Sequence, residues 1–344
     1  MIKKIFFSIV LLLLIAGGWI GWNLFGPTLS APSGKYFYIR SGSDYAAVKQ
    51  SLLDKKIVPN EFFLSTLADL LHYPNAVKPG RYEIKKGMSL YQLLKMLRSG
   101  NQSPVNLVLN KIRLKEDLAA KIAANFECDS LSMINFLNND DSAAAYQLNG
   151  NTMLCAILPN TYSIFWNASP SRIFRKLYIE QEKFWTEERK KKAATLNMTT
   201  VQVYTIASIV EEETLKDEDK GKIASVYINR METGMRLEAC PTIKYALRNF
   251  GLKRILNVHT EVNSPYNTYR NNGLPPGPIC TPSPSTIDAV LNAPQTNYIF
   301  FSAKPDFSGY SNFATTYAEH QQFARVYQHW IDSLLKARAG KEMP

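Results

Sequence analysis

The sequence predicts an α+β fold carried behind an N-terminal transmembrane helix. Three observations predict it. Residues 5–25 form one long apolar run without a formal charge. Three segments between positions 36 and 125 repeat a strand–turn–helix pattern. Farther along, residues 199–215 read as a helix whose apolar stripe runs into three consecutive glutamates. The 344 residues are 46% hydrophobic and 20% charged, which excludes disordered and fibrous classes and allows a sizeable core.

The first element is the apolar run, about long enough to span a bilayer as a helix. Lys3 and Lys4 precede it and no acidic residue does. The positive-inside rule therefore places the N-terminus in the cytoplasm and the remaining chain outside, as a single-pass inner-membrane protein with a periplasmic domain. Trp19 and Trp22 sit near its far end, where indoles favour the interface. The alternative is a cleaved signal peptide. Against it, the run exceeds the usual ~7–15-residue h-region and no A-x-A site follows. Residues 27–34 read as a short linker leading away from the membrane. The domain reading is therefore 1–26 for the cytoplasmic tip and anchor, 35–105 for a small unit and 106–344 for a mixed α/β domain.

In the small unit the first copy of the pattern is a strand at 36–39, a turn at 40–43 and a helix from 44 to about 55. The second is 81–84, 85–88 and 89–98. The third, past a boundary at 100–104, is 106–109, 110–113 and 114 to about 125. Gly42 and Gly87 hold matching turn places suited to positive φ. Ser43 or Asp44, and Ser89, are the expected N-caps. A strand–helix–helix–strand unit of this kind resembles the LysM domain, which holds glycan chains; ordinary α/β packing is the plainer alternative. Residues 169–192 read as one charged helix with a solvated basic end. Residues 325–344 read as a helix fraying at Gly340.

Lys and Arg outnumber Asp and Glu by 40 to 29. The excess favours an anionic partner: nucleic acid, membrane headgroups or an acidic polymer. An exported domain seldom meets nucleic acid, so no nucleic-acid partner is expected. Cys128, Cys155, Cys240 and Cys280 are too scattered for a CxxC site, and the four histidines show no paired ligand spacing. No metal and no other cofactor is expected.

Within the helix at 199–215, capped by Thr199 or Thr200, positions 203, 206, 207, 209 and 210 share an apolar face. Glu213 falls inside that face, Glu212 turns to the opposite side toward solvent, and Glu211 lies beyond the far edge. Burial disfavours an ionised carboxyl and raises its pKa. A carboxyl kept protonated near neutral pH can donate to a leaving-group oxygen, as glycosidic cleavage requires. Taken alone, the helix favours a plainer reading, an acidic helix end with Glu213 paired to an arginine.

The surrounding sequence reverses that weighting. Ala207-Ser-Ile-Val-Glu-Glu-Glu-Thr214 is followed by Lys222-Ile-Ala-Ser-Val-Tyr-Ile-Asn-Arg230, then Gly234-Met-Arg-Leu-Glu-Ala-Cys-Pro-Thr-Ile-Lys-Tyr-Ala246. Ser264-Pro-Tyr-Asn-Thr-Tyr269 and Gly273-Leu-Pro-Pro-Gly-Pro-Ile-Cys-Thr-Pro282 follow in order, after Leu158-Pro-Asn-Thr-Tyr162 upstream. This ordered set resembles the MltG (YceG-like) family of membrane-anchored endolytic murein transglycosylases. The resemblance implies an enzyme, a lyase that cleaves MurNAc–GlcNAc bonds in peptidoglycan glycan strands, leaves 1,6-anhydro ends and terminates nascent strands. It implies Glu213 as the catalytic group, and peptidoglycan synthases as candidate partners. The chain departs from the family at Glu212, where Lys or Arg is usual, at Cys240, where Asp is usual, and at Asn160 and Gln321. These departures put finer substrate contacts in doubt.

The other motif residues suit a glycan cleft. Asn229, Thr242 and Asn267 carry neutral hydrogen-bonding groups for sugar hydroxyls and acetamides. Tyr266 and Tyr269 present flat apolar faces with a polar tip. Arg230 and Arg236 can meet lactyl or stem-peptide carboxylates. Glu238 is a candidate supporting carboxylate, with a surface pair to Arg236 as its plainer reading. Each of these can instead be structural. Two cysteine pairings, Cys128 with Cys155 and Cys240 with Cys280, stand against four free thiols. Two functional alternatives stay open: a non-catalytic wall-binding or division scaffold, and a hydrolytic muramidase.

Overall fold

The computed structural model describes residues 2–339. The chain forms two compact units. The first holds residues up to Leu107 together with Ile122–Asp129 and Ser163–Ser169; the second holds Val108–Lys121, Ser130–Tyr162 and everything from Pro170 onward.

The first unit opens with α1 (Ile2–Phe25), long and apolar enough to cross a membrane. Then come β1 (Tyr36–Ile39), α2 (Tyr45–Asp54), α3 (Glu61–Leu70), β2 (Gly80–Glu83), α4 (Leu90–Ser99) and β3 (Val105–Leu109). β1 and β2 pair antiparallel, with Tyr36 opposite Glu83 and Ile39 opposite Gly80. Period-2 alternation sends Phe37, Ile39 and Tyr82 inward, onto Val48 and Leu52 of α2, Leu64 and Leu67 of α3, and Leu93 and Leu97 of α4. Each fully buried Leu or Phe contributes about 1.5–3 kcal/mol, so this short sheet is held mainly by its helices. The local signals act as expected. Asp44 accepts from the Ala47 N–H, Ser89 and Gln92 form a capping box, and Gly42 and Gly87 sit at φ 81° and 80°. Residues 27–34 differ from a free linker: Leu29 is buried, its N–H bonds the Met88 carbonyl, and Ser30 bonds Ile57. The later segment joins the unit through Glu127, whose carboxylate accepts from the Ser41 N–H and hydroxyl, both at 2.7 Å.

Chain order continues with α5 (Lys115–Ala123), α6 (Ser130–Asn138), α7 (Asp140–Ala144) and β4 (Asn160–Ile164), which pairs with β3. The single charged helix expected over 169–192 is two, α8 (Pro170–Phe184) and α9 (Glu187–Thr195). Between them Trp185 turns into the core, and the Thr186 hydroxyl accepts the Arg189 N–H to start a new helix. The basic end is only partly solvated, because Arg189 forks onto Asp288 at 2.7 and 2.9 Å.

The centre of the second unit is α10 (Thr200–Glu213), flanked by α11 (Asp217–Glu232), α12 (Cys240–Ala246) and α14 (Pro284–Leu291), with the short α13 (Asn257–Thr260) before α14 in the chain. Thr199 and Gln202 form its capping box. All eight residues from Val203 to Val210 are buried, so α10 has no wet face along that stretch. It stops at Glu213, where Thr214 turns extended (φ −145°, ψ 147°). The hairpin β5 (Phe300–Ala303) and β6 (Ser311–Ala314) and the helix α15 (Tyr317–Ala339) complete the unit. Fraying at Gly340 lies outside the described residues. All four thiols are free, and neither weighed pairing forms: Cys240 is exposed while Cys155 and Cys280 are buried.

Candidate active site

The last turn of α10 sends three consecutive carboxylates to three different environments. Glu211 accepts from Ser283 Oγ at 3.0 Å and from Thr286 Oγ1, and Lys220 Nζ lies 3.9 Å away. Glu212 does not face solvent as its azimuth suggests. Arg113 grips it with Nε and Nη2 at 3.0 and 2.9 Å, and Lys111 Nζ sits at 2.9 Å. Burial alone would raise its pKa, but Arg113 and Lys111 hold it below the ordinary carboxylate value. The cause is tertiary: residues 111–113 lie along that side of α10.

Glu213 has no cation within ion-pair distance among the described residues. Its Oε1 accepts one hydrogen bond, from the Tyr227 hydroxyl of α11, at 2.7 Å. The residue keeps a partly open surface, yet its carboxyl is buried enough that desolvation is the largest influence on it. Burial pushes its pKa up to about 7. The Tyr227 hydroxyl, Lys244 and Arg230 pull it back down, and Glu212 adds to the rise. Tyr227 is itself buried, and burial beside Glu213 raises its own pKa well above the usual value. It is therefore a fixed donor over the physiological range. The plainer alternative, an arginine paired with Glu213, does not form among the described residues: Arg230 Nη1 lies 3.6 Å from Glu238 instead.

Cys240 and Tyr269 complete the surroundings. Cys240 Sγ lies 3.2 Å from the Tyr269 hydroxyl; burial raises the pKa of both, and the charge on Glu213 adds to the rise. The remaining candidates divide by what their polar atoms touch. Asn229 Nδ2 donates to the Thr296 and Tyr298 carbonyls at 2.8 and 2.9 Å. Arg230 donates to the carbonyls of Ile299 (2.7 Å) and Leu237 (2.8 Å). Thr242 is fully buried, bonded to the Ala239 carbonyl and Thr268 Oγ1. Asn267 Nδ2 donates to the Thr260 and Val262 carbonyls, and its Oδ1 accepts the Tyr269 N–H. Arg236 is exposed and donates to the Tyr269 carbonyl at 3.1 Å. Thr242, Asn267 and Arg236 hold the loops that present Tyr269 and Cys240, while Asn229 and Arg230 tie α11 to residues 296–299. Glu238 pairs with Arg230, not Arg236, on a residue of positive φ (48°) with half of its side chain exposed.

Tyr266 lies elsewhere. Its ring packs 4.6 Å from Tyr245, lining a hollow of about 290 Å³ with Lys115 and Arg248. Gly277 must be glycine: a Cβ there would fall 2.1 Å from the Asn151 carbonyl oxygen. A larger hollow, about 530 Å³, sits within the first unit beside β1, lined by Tyr38, Arg40, Lys55 and Trp166 among others. The Tyr38 and Trp166 rings meet there edge to face at 4.9 Å.

Sequence reasoning missed Tyr227, Lys111 and Arg113. Tyr227 had a usable signal, since a tyrosine in an apolar helix needs a partner for its hydroxyl. The two cations carried none. Among the described residues no three His, Cys, Asp or Glu side chains converge as metal ligands.

Fold and site together define a mixed α/β protein that holds one carboxylic acid near its neutral-pH titration point. The profile of the YceG-like family matches residues 37–326, and the chain belongs to that family. It is 29% identical over 306 residues to a Bacillus subtilis protein called endolytic murein transglycosylase, covering 84% of this chain and 83% of that one. A Streptococcus pneumoniae (strain D39) protein of the same name is 29% identical over 341 residues, covering 86% of this chain. The chain spans 60% of that relative's length. A crystal structure of a yceG-like protein from Listeria monocytogenes matches with a TM-score of 0.55 at 27% identity, covering 83% of this chain and 98% of that one.

Proposed function

We propose that this protein is an endolytic peptidoglycan lytic transglycosylase, with Glu213 as both acid and base. The observation that carries the reading is the shielded Glu213 carboxyl held by a neutral hydroxyl, in a chain whose named relatives are endolytic murein transglycosylases. Protonated Glu213 donates to the oxygen between MurNAc C1 and GlcNAc as that bond breaks. The substrate's N-acetyl carbonyl stabilises the cation at C1. The muramyl C6 hydroxyl then attacks C1 and returns its proton to Glu213, so the anhydro ring closes without water and the enzyme ends as it began. An ordinary glycosidase needs a second free carboxylate at fixed separation. Here Glu211, Glu212 and Glu238 are each held by other groups of the protein. Tyr269 and Cys240, beside Glu213, are the side chains placed to meet the sugar.

The same reading makes α1 a single-pass anchor with Lys3 and Lys4 on the cytoplasmic side and the chain after α1 outside. The unit at 35–105 is a LysM-like glycan holder, and the hollow with Tyr38, Trp166, Arg40 and Lys55 suits an anionic sugar polymer. Termination of nascent strands brings the protein beside peptidoglycan synthases. The test is digestion of purified glycan strands by the wild type and Glu213→Gln, with product masses recorded. Anhydro ends from the wild type alone support the proposal. Reducing muramic ends indicate a hydrolytic muramidase, and wall binding without product from either form indicates a scaffold.

A further inference from the structure

The anchor helix does not leave the first unit behind; it packs onto it. Trp19 meets Phe63 of α3 edge to face at 5.1 Å, and Phe25 meets Tyr91 of α4 at 5.5 Å. Leu24 packs against the unit's core, and Leu29, four residues past the end of α1, is already buried in it. No flexible tether separates the two.

Helix geometry then fixes a depth. From Lys4 to Trp19 there are fifteen residue steps, about 22 Å at ~1.5 Å each. The hydrocarbon core is about 30 Å thick. With Lys4 at the near boundary, Trp19 lies about 8 Å short of the far one, so the α3 residue that touches it lies within the ~5–10 Å depth that the apolar face of an interfacial helix reaches. Beside Phe63, Phe62 is 70% exposed, and Leu70, two turns on, is 73% exposed. Phe62, Thr66 and Leu70 stand at i, i+4 and i+8, one row on the outer side of α3. Scattered exposed apolar residues occur on any surface. This pair is set apart by sharing its helix with the residue that grips the anchor.

We infer that α3 rests in the extracytoplasmic membrane interface, with Phe62 and Leu70 inserted at the boundary between headgroups and acyl chains. The inference rests on the reading of α1 as a membrane span. Interfacial aromatic and aliphatic side chains bury apolar area there while the polar face stays wet. Glu61 is paired with Lys49 at 3.0 Å, and Asp69, exposed beside Leu70, must turn to the headgroups. The contact would hold the first unit flat against the bilayer.

The test uses the full chain with Cys128 and Cys240 replaced by Ser, reconstituted in phosphatidylethanolamine–phosphatidylglycerol vesicles with brominated acyl chains. One added cysteine carries the fluorophore NBD at position 11, 50, 62 or 70, the remaining Cys155 and Cys280 being buried. Leu11 lies inside α1, and Gln50 is an exposed residue of α2. Bromolipid quenching at 62 and 70 at least half as strong as at 11, with none at 50, is the expected result. Quenching at 11 but not above the position-50 level at 62 and 70 overturns the inference and leaves the anchor intact. Quenching at only one of the two refutes the face assigned. No quenching at 11 removes the anchor reading and the inference with it.

Discussion

Replacing Tyr227 with Phe deletes the one hydroxyl that binds Glu213, while keeping a ring that fits the same apolar site edge to face with Phe301. A hydrogen bond to a charged group contributes about 1.5–3 kcal/mol. The protonated carboxyl also accepts from the hydroxyl, so only part of that sum separates the two forms. A difference of about 1.4 kcal/mol corresponds to one pKa unit. Because the bond favours the carboxylate, its loss raises the pKa of Glu213 from about 7 by roughly one unit. Lys244, Arg230, Glu212 and Cys240 all face the carboxyl and are unchanged in the variant. The acid form starts the reaction, so the alkaline limb of kcat/KM moves from near pH 7 to near pH 8. The assay is release of anhydromuramyl ends across pH 5–9. A purely structural tyrosine would lower activity at every pH without moving the limb. An unmoved limb, or one moved to lower pH, refutes the assignment of Tyr227 as the positioning donor.

Glu213→Gln should cut activity by at least roughly 10²–10⁴-fold. It should also stabilise the fold above neutral pH. A carboxyl whose pKa is raised from 4.5 to about 7 takes up protons on folding, so it costs stability progressively as pH rises between those values. Discounted for its partial exposure, the gain is about 2 kcal/mol at pH 8 and vanishes below pH 4.5; melting at pH 4 and pH 8 checks it, and equal effects at both contradict it. Glu212→Gln should do the opposite, destabilising by about 1–2 kcal/mol because Arg113 and Lys111 lose their partner. A lower urea midpoint is the expected readout, with the alkaline limb moved slightly to lower pH because the Glu212 charge no longer raises Glu213. Alkylation of the native protein should modify Cys240 and spare the buried Cys155 and Cys280, and the adduct should block cleavage. Cys240→Ser should be resistant, and full activity of the alkylated wild type would place the thiol outside the cleft.

Features with short-range causes were legible in the sequence. Asp44, Ser89 and Thr199 cap helices because each side chain reaches a backbone N–H within three residues. Gly42 and Gly87 were readable because a left-handed turn is a property of two or three residues. The inward azimuth of Glu213 was likewise legible from the helix alone, since its apolar ladder of threes and fours is local. Periodicity failed one residue earlier because it presumes a wet side, and α10 is enclosed from Val203 to Val210. What lies opposite Glu212 is Arg113, 99 positions away, and no local pattern announces such a partner. The same holds for Asn229, Arg230 and Asn267, whose residue types suit sugars but whose donors meet backbone carbonyls in the folded chain. Tertiary structure also broke the helix over 169–192, because burying Trp185 outweighed continuing it. The sequence by itself determined the caps at Asp44, Ser89 and Thr199, the glycine turns and the inward azimuth of Glu213. Only the folded chain decided which charges that carboxyl sees, because electrostatic and hydrogen-bonding partners are chosen by proximity in space rather than along the chain.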